Sequence, residues 1–481
     1  MKEVLKFEWP KVASALAAVL IAAGGWLVLI WWIRSPVPLP IELRVPEAET
    51  VTSAAPPSTV AIGALFETLA SLDSVSVTSS WPRFRGPRSD NIAPADVELA
   101  DAWPSNGPPV LWRLQLGDGH AGPAIRHGRV YILDYDEARR ADMLRCFALE
   151  DGRELWRRGY QVEIKRNHGI SRTVPAVSDR HVVTIGPKCH VMCVDAWTGE
   201  LRWGMDLVRE QGTEEPLWYT GQCPLMDGET VVLAPAGRAL MMGVEAATGR
   251  VVWETPNPDG WKMSHSSVVP MEWAGHRMYV YAAIGGVVGV SADPADTGRV
   301  LWTWPDWKVS VQCPSPVPLS GGRLLITAGY GAGSALLRLH PDGDRFRVEV
   351  LWKVDKTVLA SEQHSPLWHQ DHIFSVMPND AGALRRQLVC YHPERGLVWS
   401  SGSSRRFGLG SYMIVADRIL VMDDEGELTM VRARTDRYEE LARATVLPGA
   451  RDSWGPMAYA EGRLLVRESY TLVCLDLRKQ P

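Results

Sequence analysis

Tryptophan recurs at a near-constant interval: Trp112, Trp156, Trp203, Trp253, Trp302, Trp352 and Trp399. Successive gaps are 44, 47, 50, 49, 50 and 47 residues. A fixed period in this range marks one supersecondary unit copied in series, and a four-stranded propeller blade has about that length. A single blade cannot bury its faces alone, so the copies must stack around an axis. The repeat therefore dictates a fold and leaves function open, because this scaffold carries both enzymes and pure binding platforms.

Each copy contains the same pieces in the same order. An entry strand carries a proline, as in Gly122-Pro123, Val174-Pro175, Cys223-Pro224, Val269-Pro270, Ser315-Pro316, Ser365-Pro366 and Gly455-Pro456. A polar turn then feeds a run of β-branched and aliphatic residues, as in Asp179-Arg180-His181-Val182 or Gly322-Arg323-Leu324, and eight such runs occur. A third strand ends in a tight turn such as Asp151-Gly152, Thr198-Gly199, Thr248-Gly249, Thr297-Gly298 or Arg395-Gly396, where glycine supplies positive φ. The fourth strand bears the tryptophan, except in the seventh copy, where Leu441-Ala442-Arg443 stands instead.

The two ends complement each other. The last copy stops at Pro481 without a fourth strand, while Val110-Leu111-Trp112 is a fourth strand preceding any first strand. Pairing them removes the open edge between the chain ends. The expected fold is all-β: an eight-bladed β-propeller of four-stranded blades over 108–481, closed N-to-C and preceded by one transmembrane helix.

That helix is expected at 12–33, a run of 22 residues with Ser14 as its one polar side chain. Trp26, Trp31 and Trp32 lie in its second half, and Lys2, Lys6 and Lys11 precede it. The positive-inside rule then puts a tail, 1–11, in the cytoplasm and the propeller on the periplasmic side of the inner membrane, with the membrane itself a partner. A cleaved signal is the rival, but the run ends Trp31-Trp32-Ile33-Arg34-Ser35-Pro36, without a small-x-small site. Residues 34–80 carry Pro36, Pro38, Pro40, Pro46, Pro56 and Pro57 and suit a stiff tether, with a short helix expected at Ala61 to Leu72. Residues 81–107 are expected to form a clasp.

A net charge of −5 gives no basic footprint, so nucleic acid is not an expected partner. Cys146, Cys193, Cys390 and Cys474 occupy one site of the repeat; equivalent strands about 10 Å apart are too distant to bridge, which makes them small buried hydrophobes. Cys189, His190 and Cys193 are metal-ligating types along one strand, weighed against ordinary burial there.

Asp195-Ala196-Trp197-Thr198-Gly199-Glu200-Leu201-Arg202-Trp203 resembles the tryptophan-docking repeat of pyrroloquinoline quinone (PQQ) type propellers. Glu245-Ala246-Ala247-Thr248-Gly249-Arg250-Val251-Val252-Trp253 is a second good copy, and the stretches ending in Trp156 and Trp302 are degenerate ones. The resemblance implies that the seven periodic tryptophans dock on the glycine turn of a neighbouring blade. Trp81-Pro82-Arg83-Phe84-Arg85-Gly86-Pro87 is similar to a segment preceding such propellers, with Asp90-Asn91 where that family has Asp-Gly. Quinone-dependent relatives are implied to need a Ca²⁺ site, an Asp base and, in the alcohol-oxidising branch, vicinal cysteines. No adjacent cysteines occur in this sequence, so neither cofactor nor metal is expected; PQQ and Ca²⁺ enter only under an alternative reading as a quinone-dependent oxidoreductase. Similarity to outer-membrane assembly-factor propellers implies a non-catalytic platform binding a protein or a small polar ligand. Those relatives carry a lipidated cysteine, and none precedes Cys146 here.

Just before the entry prolines lie His120, His168, Gln222, His265, Gln312 and His364, with Arg172, Trp261 and Trp454 in the same segments. First strands line a propeller's channel, so these side chains are candidates for a polar ring around one mouth, suited to an anionic or polar ligand. The alternative is that each satisfies a backbone group in its own blade. His265-Ser266 and His364-Ser365 recur at equivalent sites, which points to blade geometry rather than to a nucleophile and its base.

Overall fold

The computed structural model describes residues 9–34, 60–71, 78–94, 96–104 and 106–479. From Val110 onward the β-branched runs form eight antiparallel blades. Blade 1 runs Ala124–Arg126, Arg129–Asp136, Ala141–Ala148 and Glu154–Gln161 from inside outward. Blade 8 runs Ala458–Ala460, Arg463–Arg467 and Thr471–Asp476, and its outer strand is Val110–Gln115. Trp112 stands opposite Cys474 and Gln115 opposite Thr471, which is the closure expected. The inner strand of blade 1 lies against those of both blade 8 and blade 2, so the ring is shut.

The outer hairpin of every blade slips register at the tryptophan position, leaving an extra residue on the outer strand. Such a bulge re-aims a side chain. Opposite the tryptophan the third strand is usually small: Cys146 faces Trp156, Cys193 Trp203, Gly243 Trp253 and Cys390 Trp399. A Cβ at Gly243 would lie 2.0 Å from the Trp253 ring. In blade 7, where Ala442 replaces the tryptophan, its partner is the larger Met430, which fills the space. All seven cysteines are free.

Six of the seven re-aimed rings reach the next blade. Trp112 Nε1 donates to Leu149 O at 2.9 Å, Trp203 to Ala246 O at 2.8 Å, Trp352 to Pro393 O at 2.9 Å and Trp399 to Arg434 O at 3.2 Å. Trp156 and Trp253 pack on Gly199 and Gly298. Trp302 differs: its Nε1 points to Met278 Sδ in its own blade, while Trp273 donates to Leu339 O of blade 5.

Two N-terminal segments add to the ring. Leu65–Thr68 is a strand, not part of the helix expected at 61–72; it pairs with the outer edge of blade 1, Leu65 opposite Gly159, with the Arg158 guanidinium 3.9 Å from the Phe66 ring. An open sheet edge offers this chain backbone partners that an isolated short helix lacks. The Trp81–Pro87 stretch crosses the axis. Trp81 exchanges backbone hydrogen bonds with Ile125 of blade 1, Val177 N donates to Pro82 O, and Arg83 Nη1 donates to Met226 O. Arg85 Nη2 reaches Pro366 O, and Ile92–Ala93 adds a parallel strand to blade 7. Trp81 folds over Gly86, whose φ of 77° no side chain would favour, and Asn91 holds the left-handed turn at φ 64°.

The N-terminal helix runs Trp9–Arg34. No helix among the described residues is long and apolar enough to cross a membrane. This overturns the membrane-spanning segment expected at 12–33, together with the single-pass inner-membrane location, the periplasmic placing and the membrane as partner. The start of the tail and most of the tether lie outside the described residues.

Candidate functional site

The loops that enter the inner strands gather at one end of the axis around a cavity of about 270 Å³. His120, His168, Arg172, His265, His364 and Trp454 line it, so six of the nine candidate side chains are brought together. Gln222 and Gln312 are not among them. Gln222 is buried, with Nε2 donating to Ala234 O at 3.1 Å and Oε1 accepting from Ala234 N at 3.0 Å. Gln312 donates to Thr327 O and accepts from Trp307 Nε1 at 2.8 Å. Both tie down their own blades. Trp261 is buried over Gly285 and Gly286.

The inner ring is stitched by side chains at these same loops. Val174 N donates to Cys223 Sγ, Cys223 N to Ser267 Oγ, Ser267 N to Ser315 Oγ and Ser315 N to Ser365 Oγ. Ser365 therefore serves its neighbour's backbone.

Several lining residues carried no repeat signal. Trp218 and Tyr330 stack at 6.0 Å, and Trp218 lies 6.1 Å from the His265 ring. Glu362 and Cys313 come from the entry segments of blades 6 and 5, and Leu409 precedes the inner strand of blade 7. Phe84 comes from the segment that crosses the axis, so the channel is stoppered behind the cavity. Only the aromatic excess of the chain hinted at Trp218. His168 and Tyr330 hold left-handed backbone, φ 52° and 54°, at a cost of about 1 kcal/mol or more each.

The electrostatics follow from burial. Desolvation, then the Arg172 and Arg467 charges, lowers His120 to about 3. Desolvation, then Arg172, lowers His265 to about 4; desolvation foremost brings His364 to about 4. These imidazoles are neutral at pH 7. Arg172 is lowered to about 10 by burial, and its Nη2 donates to the carbonyls of Asn167, His168 at 3.0 Å and Gly169 at 3.1 Å. Burial raises Glu362 and pushes the Cys313 thiol up to about 12. The site is thus an aromatic, largely uncharged cup holding one fixed cation and one carboxylate.

A hard cation such as Ca²⁺ needs six to eight converging oxygens. Glu362 is the one carboxylate lining this cavity, and no group of three His, Cys, Asp or Glu side chains among the described residues is placed to hold a metal ion. The donor set does not fit a calcium-assisted quinone. Of the metal-ligating types along that strand, Cys189 faces Thr220 Oγ1 at 3.1 Å and Cys193 faces Ala246 O.

Residues 140–305 match a family model described as outer membrane protein assembly factor BamB. The fold is similar to quinohemoprotein alcohol dehydrogenase from Comamonas testosteroni, at 12% identity over 84% of this chain and 82% of that one, TM-score 0.55. It is also similar to BamB from Moraxella catarrhalis, at 13% identity over 76% of this chain and 99% of that one, TM-score 0.51. Identities this low speak for the fold alone. No curated protein matches by sequence.

Proposed function

We propose that this propeller of PQQ-type repeats is a non-catalytic binding platform whose target enters the mouth cavity. The observation that carries the reading is Arg172. Its guanidinium is pinned by three carbonyls of its own loop and has no carboxylate partner among the described residues, in a cup stoppered by Phe84 and walled by aromatic rings. A cation pre-positioned without a counter-ion in a concave aromatic site is suited to binding a polar group. The absence of a convergent oxygen cage among the described residues favours binding over quinone chemistry, and likeness in fold to BamB supports a platform role by analogy.

Photocrosslinking tests this. A benzophenone side chain placed in the full-length chain at Tyr330, on the rim, should capture an adduct in cells; one at Glu229, near the opposite end, should not. Arg172→Gln should remove the adduct while leaving the thermal melt within a few degrees. Equal capture at both positions, or dye reduction after loading the chain with PQQ and Ca²⁺, would overturn the platform reading.

A further inference from the structure

The mouth cavity is polarised across the axis. Arg172 lies in the loop entering blade 2 and Glu362 in the loop entering blade 6. Blades 2 and 6 are diametrically opposed in an eight-membered ring. The two side chains line the same cavity and make no ion pair with each other.

Their surroundings reinforce the division. On the Arg172 side Asp118, a carboxylate whose charge reaches Arg172, is taken by Arg166 at 2.5 Å, and buried Arg467 adds a second positive charge held by the Ala121, Leu133 and Gly117 carbonyls. On the other side Asp380 is paired with Lys356 at 2.8 Å, and Asp424 with Arg386 at 3.5 Å and Trp454 Nε1 at 2.8 Å. Glu362 accepts from the Asn379 amide, and no ion pair reaches it among the described residues. Its chain packs on Gly329, where a Cβ would stand 2.4 Å from Glu362 Cγ, so the carboxylate is fixed beside Tyr330. Tyr330 and Cys313 lie within electrostatic reach of both charges. Trp218, Tyr330, Trp454, Phe84 and Leu409 line the same cavity as the two charges, in a volume of about 270 Å³.

A ligand that neutralises both ends must carry an anion and a cation on a small apolar frame. A simple anion would satisfy Arg172 and leave Glu362 facing apolar matter; a simple cation would do the reverse. The geometry points to a zwitterionic ligand of the aromatic α-amino-acid class, its carboxylate on Arg172, its ammonium on Glu362 and its ring against Trp218 and Tyr330. Electrostatic fit at both ends gives selectivity that the aromatic walls alone lack. This rests on the mouth cavity being the binding site, and it adds Glu362 as the group that reads the cationic end.

Calorimetric titration of the full-length chain with L-phenylalanine, 3-phenylpropanoate and phenethylamine tests it. L-Phenylalanine should bind one to one. Loss of the ammonium or of the carboxylate should each weaken binding about tenfold or more, the scale of one charge-assisted contact. Glu362→Gln, nearly isosteric, should erase the advantage of L-phenylalanine over 3-phenylpropanoate, and Arg172→Gln its advantage over phenethylamine. If 3-phenylpropanoate binds as tightly as L-phenylalanine and Arg172→Gln abolishes both, the zwitterion is ruled out and the mouth site survives. If none of the three binds while the Tyr330 adduct still forms, the ligand class is wrong; if the adduct also fails, the site is wrong.

Discussion

Trp112 and Leu149 join the two ends of the ring: the indole Nε1 of the outer strand of blade 8 donates to a carbonyl at the outer turn of blade 1, 2.9 Å away. The same ring lies over Gly152, so one side chain completes the last blade and docks it on the first. Closure therefore depends on a residue near the start of the repeats.

Trp112→Ala should destabilise the propeller by about 3–5 kcal/mol, the range for truncating a buried aromatic. Urea unfolding followed by far-UV circular dichroism measures it. A loss under 1 kcal/mol would mean the closure is dispensable.

Gly152 separates backbone strain from crowding. At φ 73°, a Cβ there would stand 2.9 Å from the Trp112 ring; at Gly228, φ 58°, nothing lies within 4 Å. Gly228→Ala should cost about 1 kcal/mol from conformation alone. Gly152→Ala should cost clearly more, and equal midpoints in paired urea melts would contradict the packing described.

Acid should loosen the mouth. His120 is depressed to about 3, and His265 and His364 to about 4, mainly by desolvation. Between those values and about 6.5 the unfolded chain binds more protons than the folded one, so stability increases with pH across that window. It should be intact at pH 7 and fall progressively toward pH 4. Melting temperatures recorded from pH 7.5 to 4 should drop less steeply in His265→Gln than in the parent chain; parallel curves would contradict a buried neutral imidazole.

Much of the architecture is legible in the chain because propeller chemistry is periodic. Tryptophan, turn glycine and entry proline recur where backbone geometry demands them, and the unmatched strand at Val110 announces the closure. The candidate ring divides for a related reason: His364 and Gln222 each stand two residues before a proline, yet one lines the cavity and the other bonds Ala234. Which way a loop side chain turns depends on neighbours far away in sequence. Glu362, Tyr330 and Phe84 escaped for that reason, each reaching the site by a non-repeating route. Residues 61–72 look like a helix in isolation, but Leu65–Thr68 pairs with Trp156–Gly159 because a strand edge stands open there. Trp302 keeps the period and abandons the docking partner, and Trp273, outside the period, reaches the next blade instead. For the apolar run at the N-terminus, composition alone suggested a span that the described helix does not provide.

A crystal structure of the full-length chain soaked with L-phenylalanine tests the central claim most directly. The account predicts an eight-bladed ring with the amino acid in its mouth, carboxylate against the Arg172 guanidinium and ammonium against Glu362. Density for the ligand elsewhere, or Arg172 and Glu362 joined to each other across the axis, would contradict it.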